Sequence, residues 1–309
     1  MPVNNRRRNP FLLAPALAFF VLIVSGIIGF FDIGAMSGVW SYITALLLYL
    51  IVFGIPSAIF LICRGTDTLR RMGTARPSGK EIGLTAVGTV VLLLQTGILA
   101  LGPFHTAYDG NLYELFGSSF SGAISSTGEL ILALLFLVLL PAACEEFFFR
   151  GILLCEYRLS GVVGKMLMSS LLFALFSLDF SKFIVFFLNG LLLSVIVFLT
   201  DNVICAIASH GVCNLFLLFG GKFLKAMSSC VGGEVVFWFL LITLYLLGLF
   251  FFFLFAEKLL RRRAAEDAPQ PVLVPKKKRP AVIYDVLSAP PFLADVLAFF
   301  IFAVIGIFL

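Results

Sequence analysis

Charge is scarce in this sequence: Asp, Glu, Lys and Arg together fill only 13% of 309 positions, against roughly a quarter in an average soluble domain. Hydrophobic residues fill 61%, more than any soluble core needs, which excludes a water-soluble globular protein. Histidine is nearly missing as well. The two present are His105, after Pro103 in a polar stretch, and His210, inside an apolar run; a metal site with two intramembrane histidines therefore cannot be built. The six cysteines show no Cys-x-x-Cys spacing, so the usual zinc and redox pairs are absent. Cys63, Cys144, Cys155, Cys205 and Cys213 lie in or beside apolar runs and read as packed reduced thiols; Cys230 lies in a loop with no evident partner. Period-2 alternation is also lacking, which excludes a membrane β-barrel.

What is abundant is long apolar sequence. Nine runs approach the ~20 residues needed to cross a bilayer: 11–31, 39–63, 82–103, 129–155, 163–178, 183–200, 203–219, 235–256 and 292–309. Within hydrocarbon every backbone amide must be paired in its own segment or a closed barrel. The expected fold class is therefore all-α, a polytopic transmembrane helical bundle of about nine spans. Pro56 and Pro103 fall near span ends, and Pro141 is placed to kink the fourth span.

Orientation follows from the basic residues, which cytoplasmic loops collect. With the N-terminus inside, all but Lys182, Lys222 and Lys225 of the 22 basic residues belong to inner segments; nine spans then leave the C-terminus outside. The net charge of +5 thus has a topological cause, and no nucleic-acid partner is needed. Lys276 to Arg279 could serve as a nucleic-acid patch, but beside a span it reads as a basic flank touching anionic lipid. Arg6 to Arg8 precede an apolar run as in a signal peptide. That run is long and lacks a small-x-small cleavage site, so it reads as a retained first span. The expected location is multi-pass in a bacterial plasma membrane.

Three segments divide the chain. Residues 1–256 form one membrane domain, with a motif core at 129–219; residues 257–291, rich in Arg, Lys and Pro, read as a semi-extended cytoplasmic linker; and 292–309 supply an appended span. The outer loop 104–128, with Tyr108, Tyr113 and Phe116, reads as interfacial. No internal repeat is visible, which weighs against an inverted-repeat transporter.

An ionisable group at the bilayer centre costs about 2.5–3.5 kcal/mol, and the fourth span carries three: Glu145, Glu146 and Arg150. Glu146 and Arg150 are spaced i, i+4 with the acid first, the better order for an intrahelical pair. Glu145 points about 100° away and is left to face a cavity. On the seventh span His210 and Asn214 share a face at the same spacing. At about 1.5 Å per residue, Glu145 and Asn214 lie roughly 20 Å from the inner ends of their spans, Ser177 roughly 18 Å and His210 roughly 14 Å. Such depths allow one common pocket. The remaining polar groups, Gln95, Asn189 and Ser194, read as packing contacts, and Gly190 as a site of close helix approach.

Glu145-Glu146-x-x-x-Arg150 on one span, Phe173-x-x-x-Ser177 on the next, and His210-x-x-x-Asn214 two spans later resemble the CPBP (Abi, type II CAAX prenyl endopeptidase) family of intramembrane peptidases. The first and third motifs match in full, while Ser177 stands where the family has histidine. The resemblance implies that Glu145 activates water for attack on a peptide carbonyl, with Glu146 beside it, and that His210 and Asn214 either hold a metal or stabilise the oxyanion. It implies a peptide or lipidated protein as substrate, cut near the cytoplasmic side. For the cofactor it leaves two options, zinc or another divalent metal held by Glu145 and His210, or none. Ser177 is a poor metal ligand and could instead position a water; Cys144 and Cys213 flank motif residues and could offer a thiolate. A second reading is a catalytically impaired relative acting as a membrane scaffold or regulator. A third is a transporter coupled through Glu145, Glu146 and Arg150. In the plainest reading, Glu146 and Arg150 only fix packing while His210 and Asn214 bond across helices.

Overall fold

The computed structural model describes residues 10–31, 39–65, 73–74, 76–101, 114–115, 118–119, 126–230, 233–266 and 279–308. His105, Tyr108, Tyr113 and Phe116 of the outer loop, Arg6 to Arg8, and the linker prolines 269, 271 and 275 with Lys276 to Lys278 lie outside them. The described chain is helical apart from turns and one two-residue antiparallel pair, β1 (Glu114–Leu115) with β2 (Ser118–Ser119). The helices are α1 (Pro10–Ile28), α2 (Val39–Arg64), α3 (Gly79–Leu101), α4 (Thr127–Glu156), α5 (Gly161–Leu175), α6 (Phe180–Thr200), α7 (Val203–Cys230), α8 (Glu234–Glu266), α9 (Arg279–Leu287) and α10 (Pro290–Phe308).

Seven of them, α2, α3, α4, α6, α7, α8 and α10, are long and apolar enough to cross a membrane. The other two expected spans appear as shorter apolar helices, Leu12–Ile28 and Gly161–Leu175. The stretch read as a semi-extended linker is helical at both described ends. Residues 257–266 prolong α8, where Lys, Arg, Ala and Glu are strong helix formers and Glu257 pairs with Arg261 one turn on. Residues 279–287 form α9 and α10 begins at Pro290.

Proline shapes the two spans that frame the site. A proline has no N–H to donate to the preceding turn, and in both spans that turn widens to π-helical spacing: Leu50–Gly54 ahead of Pro56, and Leu134–Leu139 ahead of Pro141. Pro56, expected near a span end, thus lies well inside α2. A second π-helical stretch, Phe147–Leu153, follows the glutamate pair in α4; such bulges re-aim side chains without ending a helix. The start of α4 is fixed by a capping box, with the Ser126 hydroxyl accepting from the Glu129 amide and the Glu129 carboxylate accepting from the Ser126 amide.

Two apolar cores flank α4 and α7. One joins α1, α2, α4, α5, α9 and α10 around Phe53, whose ring meets those of Phe148, Phe149 and Phe176 at 5.8, 6.1 and 5.4 Å. The other joins α3, α6, α7 and α8 around Leu84, Val91, Ile196 and Phe252. The two ends of the bundle differ in charge. Arg64 pairs with Glu156, the Val203 amide donates to Gly73 across the α6–α7 turn, and antiparallel packing of α3 on α8, with Gly88 against Phe252 and Gly248 against Val91, brings Lys80 and Lys258 to that same end. Arg150 does not belong there: it is 1% exposed in the bundle interior and contributes nothing to loop charge.

Close approach of α6 to α4 and α5 depends on Gly190, where a Cβ would lie 3.1 Å from Arg150 Nη2 and 3.2 Å from the Ser170 backbone. Gly190→Val should cost about 1–3 kcal/mol by overpacking and lower the thermal unfolding temperature in detergent. Gly83, with open space around it, provides the control as Gly83→Ala. An unchanged unfolding temperature for Gly190→Val would show that the helices do not need this contact.

Candidate active site

Arg150 organises the polar centre. Its Nη1 donates to Glu146 Oε1 at 3.0 Å and its Nη2 to the Gly190 carbonyl at 3.1 Å, while the guanidinium lies 4.3 Å from the centre of the Phe173 ring, a cation–π contact. Glu146 is 0% exposed. The same Oε1 sits 2.7 Å from Nδ1 of His210, which reaches it from α7. A carboxylate paired with Arg can only accept, so His210 carries its hydrogen on Nδ1 and turns Nε2 the other way. That nitrogen faces Glu145, 3.9 Å from its Oε2, too far for a hydrogen bond.

Glu145 is buried and held on its other oxygen by Tyr49 of α2, whose hydroxyl donates to Oε1 at 3.2 Å. It lines a cavity of about 710 Å³, and so do Ser177, His210 and Asn214. The four residues aligned by depth therefore meet at one cavity. Glu146 and Arg150 stand behind the wall. The two adjacent glutamates thus occupy different settings: one is locked between a guanidinium and an imidazole, the other faces open space.

Asn214 donates to the Val138 carbonyl at 3.4 Å, a long bond that leaves its amide able to turn into the cavity. Ser177 behaves otherwise. Its hydroxyl donates to the Ala174 and Asp179 carbonyls, at 2.7 and 3.2 Å, and so caps the end of α5. From the cavity wall outward, Asn189 donates to Thr96, Gln95 donates to Asn189, and Tyr245 donates to Gln95; of these Thr96 and Asn189 line the cavity, as does Cys213, which lies 3.5 Å from the Thr96 hydroxyl. These groups satisfy one another, as expected of interhelical polar contacts.

The fit to a metal is poor. Zinc takes three or four protein ligands, whereas here His210 Nδ1 is engaged by Glu146, Glu146 by Arg150, and the Ser177 hydroxyl by the main chain. Among the described residues no group of three His, Cys, Asp or Glu could hold a metal ion. Glu145 and His210, the expected ligand pair, stand alone in facing each other.

Sequence reasoning missed Tyr49, Ser25 and the contribution of α10. Tyr49 is one of several scattered hydroxyl groups in the apolar run 39–63, which a composition-based reading absorbs into the span. Ser25, Phe302 and Ala303 line the cavity from the first and last helices, far from any motif, and no local spacing points to them.

Among curated proteins and among solved structures no match to the chain was found. Residues 127–216 match the family model described as type II CAAX prenyl endopeptidase Rce1-like. The matched stretch runs from the start of α4 to the middle of α7 and contains Glu145, Glu146, Arg150, Ser177, His210 and Asn214, so the part of the chain that builds the polar centre is the part that is similar to type II CAAX prenyl endopeptidases.

Proposed function

We propose that the protein is an intramembrane endopeptidase in which Glu145 activates the attacking water. The observation that carries this reading is the division of labour between the two glutamates, with Glu146 consumed by Arg150 and His210 and Glu145 presented to the cavity under a Tyr49 hydrogen bond. The family acts on peptides or prenylated proteins, and a peptide or lipidated protein end is the substrate proposed here.

The residues divide the reaction as follows. Glu145 takes a proton from water as the hydroxide oxygen bonds to the peptide carbonyl carbon, and a carboxylate held out of water is suited to this. The carbonyl oxygen becomes an oxyanion that accepts from the Asn214 amide. When the C–N bond breaks, the proton on Glu145 passes to the leaving amine, which restores the carboxylate. His210, oriented through Nδ1 by Glu146, acts as a positioning group whose Nε2 faces the reacting carboxylate. No metal is required by this sequence of steps.

One observation favours a second reading, a family member with impaired catalysis that serves as a membrane scaffold. Ser177 stands at the histidine position of the second motif and its hydroxyl is spent on the main chain, so the site has lost one group without an evident substitute.

Purified protein assayed against a peptide library, with thermal unfolding followed in parallel, tests both readings. Glu145→Gln should lower hydrolysis by about 10²-fold or more at unchanged stability, because it removes the base without emptying its volume. Glu146→Gln should instead destabilise by roughly 3–5 kcal/mol, the cost of removing one partner from a buried pair. Hydrolysis that survives Glu145→Gln refutes the mechanism. A parent that cleaves nothing and is not rescued by Ser177→His favours the scaffold.

A further inference from the structure

The cavity has a direction. Its floor is made of buried residues, Glu145, His210, Asn214 and Thr96, whereas its exposed lining residues are Gly29, Phe30, Phe180, Ser181, Gly306 and Ile307. All six lie at one end of the bundle, at the C-terminal ends of α1 and α10 and the N-terminal end of α6. Ring contacts tie these pieces together: Phe30 to Phe302 at 6.2 Å, Phe180 to Phe299 at 5.3 Å and to Phe300 at 5.5 Å.

This end is opposite the one where Arg64, Lys80 and Lys258 gather. None of the basic-end residues, nor the α6–α7 turn at Asp201, lines the cavity. Cytoplasmic segments are the ones that collect Lys and Arg. The mouth therefore lies on the non-cytoplasmic face.

The α1 wall of the cavity holds a polar group with no partner among the described residues. Ser25 is 3% exposed and lines the cavity, and its hydroxyl has no hydrogen-bond partner among the described residues. Around it the wall is apolar, with Phe302 packed so tightly over Gly26 that a Cβ there would lie 2.5 Å from the ring. At the rim Lys182 and Asp179 form an ion pair at 3.4 Å. The path thus has an apolar side, made by α1 and α10 with the one Ser25 hydroxyl, and a side made by the end of α5 and by α6 that carries Ser177, Ser181 and Asn189; a lining of this kind, ending at a carboxylate, suits an extended peptide with apolar side chains better than a small polar solute.

We infer that the substrate reaches Glu145 from the non-cytoplasmic face, as an extended apolar peptide segment threaded between the N-terminal end of α6 and the C-terminal ends of α1 and α10. This rests on the peptidase reading of the site, and it replaces the expectation of cleavage near the cytoplasmic side. Selectivity then resides in α1 and α10, both outside the stretch that matches the family.

The test uses Gly306→Cys at the mouth and Gly79→Cys at the basic end, two exposed positions where a Cβ meets nothing within 4 Å, each in full-length protein carrying Cys63→Ser and Cys230→Ser. Sealed right-side-out vesicles are treated with a bulky membrane-impermeant maleimide before and after permeabilisation. Gly306→Cys should react in sealed vesicles and Gly79→Cys only after permeabilisation. Modification at Gly306→Cys should lower peptide-library hydrolysis about tenfold or more, as misplacement of substrate does, while modification at Gly79→Cys should not. Reaction of Gly306→Cys only after permeabilisation overturns the inference, as does external reaction that leaves hydrolysis intact. If the unmodified protein cleaves nothing, the peptidase reading fails separately. Access is then read from the labelling rate, which saturating peptide library should slow several-fold; an unchanged rate overturns the inference.

Discussion

A guanidinium inside an apolar bundle has to be neutralised and hydrogen-bonded, because an uncompensated buried charge costs more than most single contacts can return. Arg150 meets that demand with Glu146, the Gly190 carbonyl and the Phe173 ring, and these partners come from α4, α6 and α5. Satisfying one side chain therefore fixes the relative position of three helices. Glu146 then draws His210 from α7, which adds a fourth. The separate elements of the site are held together by a single charge-neutralising network.

The network also explains why two neighbouring glutamates end up in different settings. Successive residues on a helix point about 100° apart, so when Glu146 faces Arg150, Glu145 must face elsewhere. It faces the gap between α2 and α7, where Tyr49 and His210 meet it from either side. The π-helical stretch Phe147–Leu153 begins directly after the pair, so the chain can turn Arg150 and the three phenylalanines into the core without rotating Glu145 out of the cavity. Pro141, one turn earlier, produces the other widened stretch and loosens the helix at the level of Val138, whose carbonyl receives Asn214. Backbone irregularity is thus concentrated where side chains converge.

How much of this could be read in the sequence depends on whether the information was local. The helical class, the long runs and the pairing of Glu146 with Arg150 follow from composition and i, i+4 spacing within one segment, and the structure contains them. Shared depth, a one-dimensional quantity, sufficed to bring Glu145, Ser177, His210 and Asn214 to one cavity. What failed needed angles about the helix axis or contacts across the bundle. Spacing pairs His210 with Glu145 but does not show that its Nδ1 is held by Glu146. Ser177 has the right depth, yet its hydroxyl turns back to cap α5. Proline and charge content over 257–291 suggests a semi-extended linker, although burial of Val286 and Ala289 in the same core as Tyr157 and good helix formers before the prolines make both described ends helical.

The cavity joins parts of the chain that differ in kind. The residues to which the proposed chemistry is assigned, Glu145, His210 and Asn214, belong to α4 and α7 and lie within 127–216, where the motif spacing and the buried charge network tightly constrain the sequence. Much of the rest of the lining comes from α1, α6 and α10, and the contacts between α1 and α10 are apolar rings and small side chains such as Gly26 against Phe302. An apolar wall can exchange one side chain for another of similar volume at small cost, whereas Arg150 or Glu146 cannot be exchanged without leaving a buried charge alone. The fold therefore separates a charged core that resists change from an apolar wall that can be reshaped at small cost, and the C-terminal helix α10 is part of that wall.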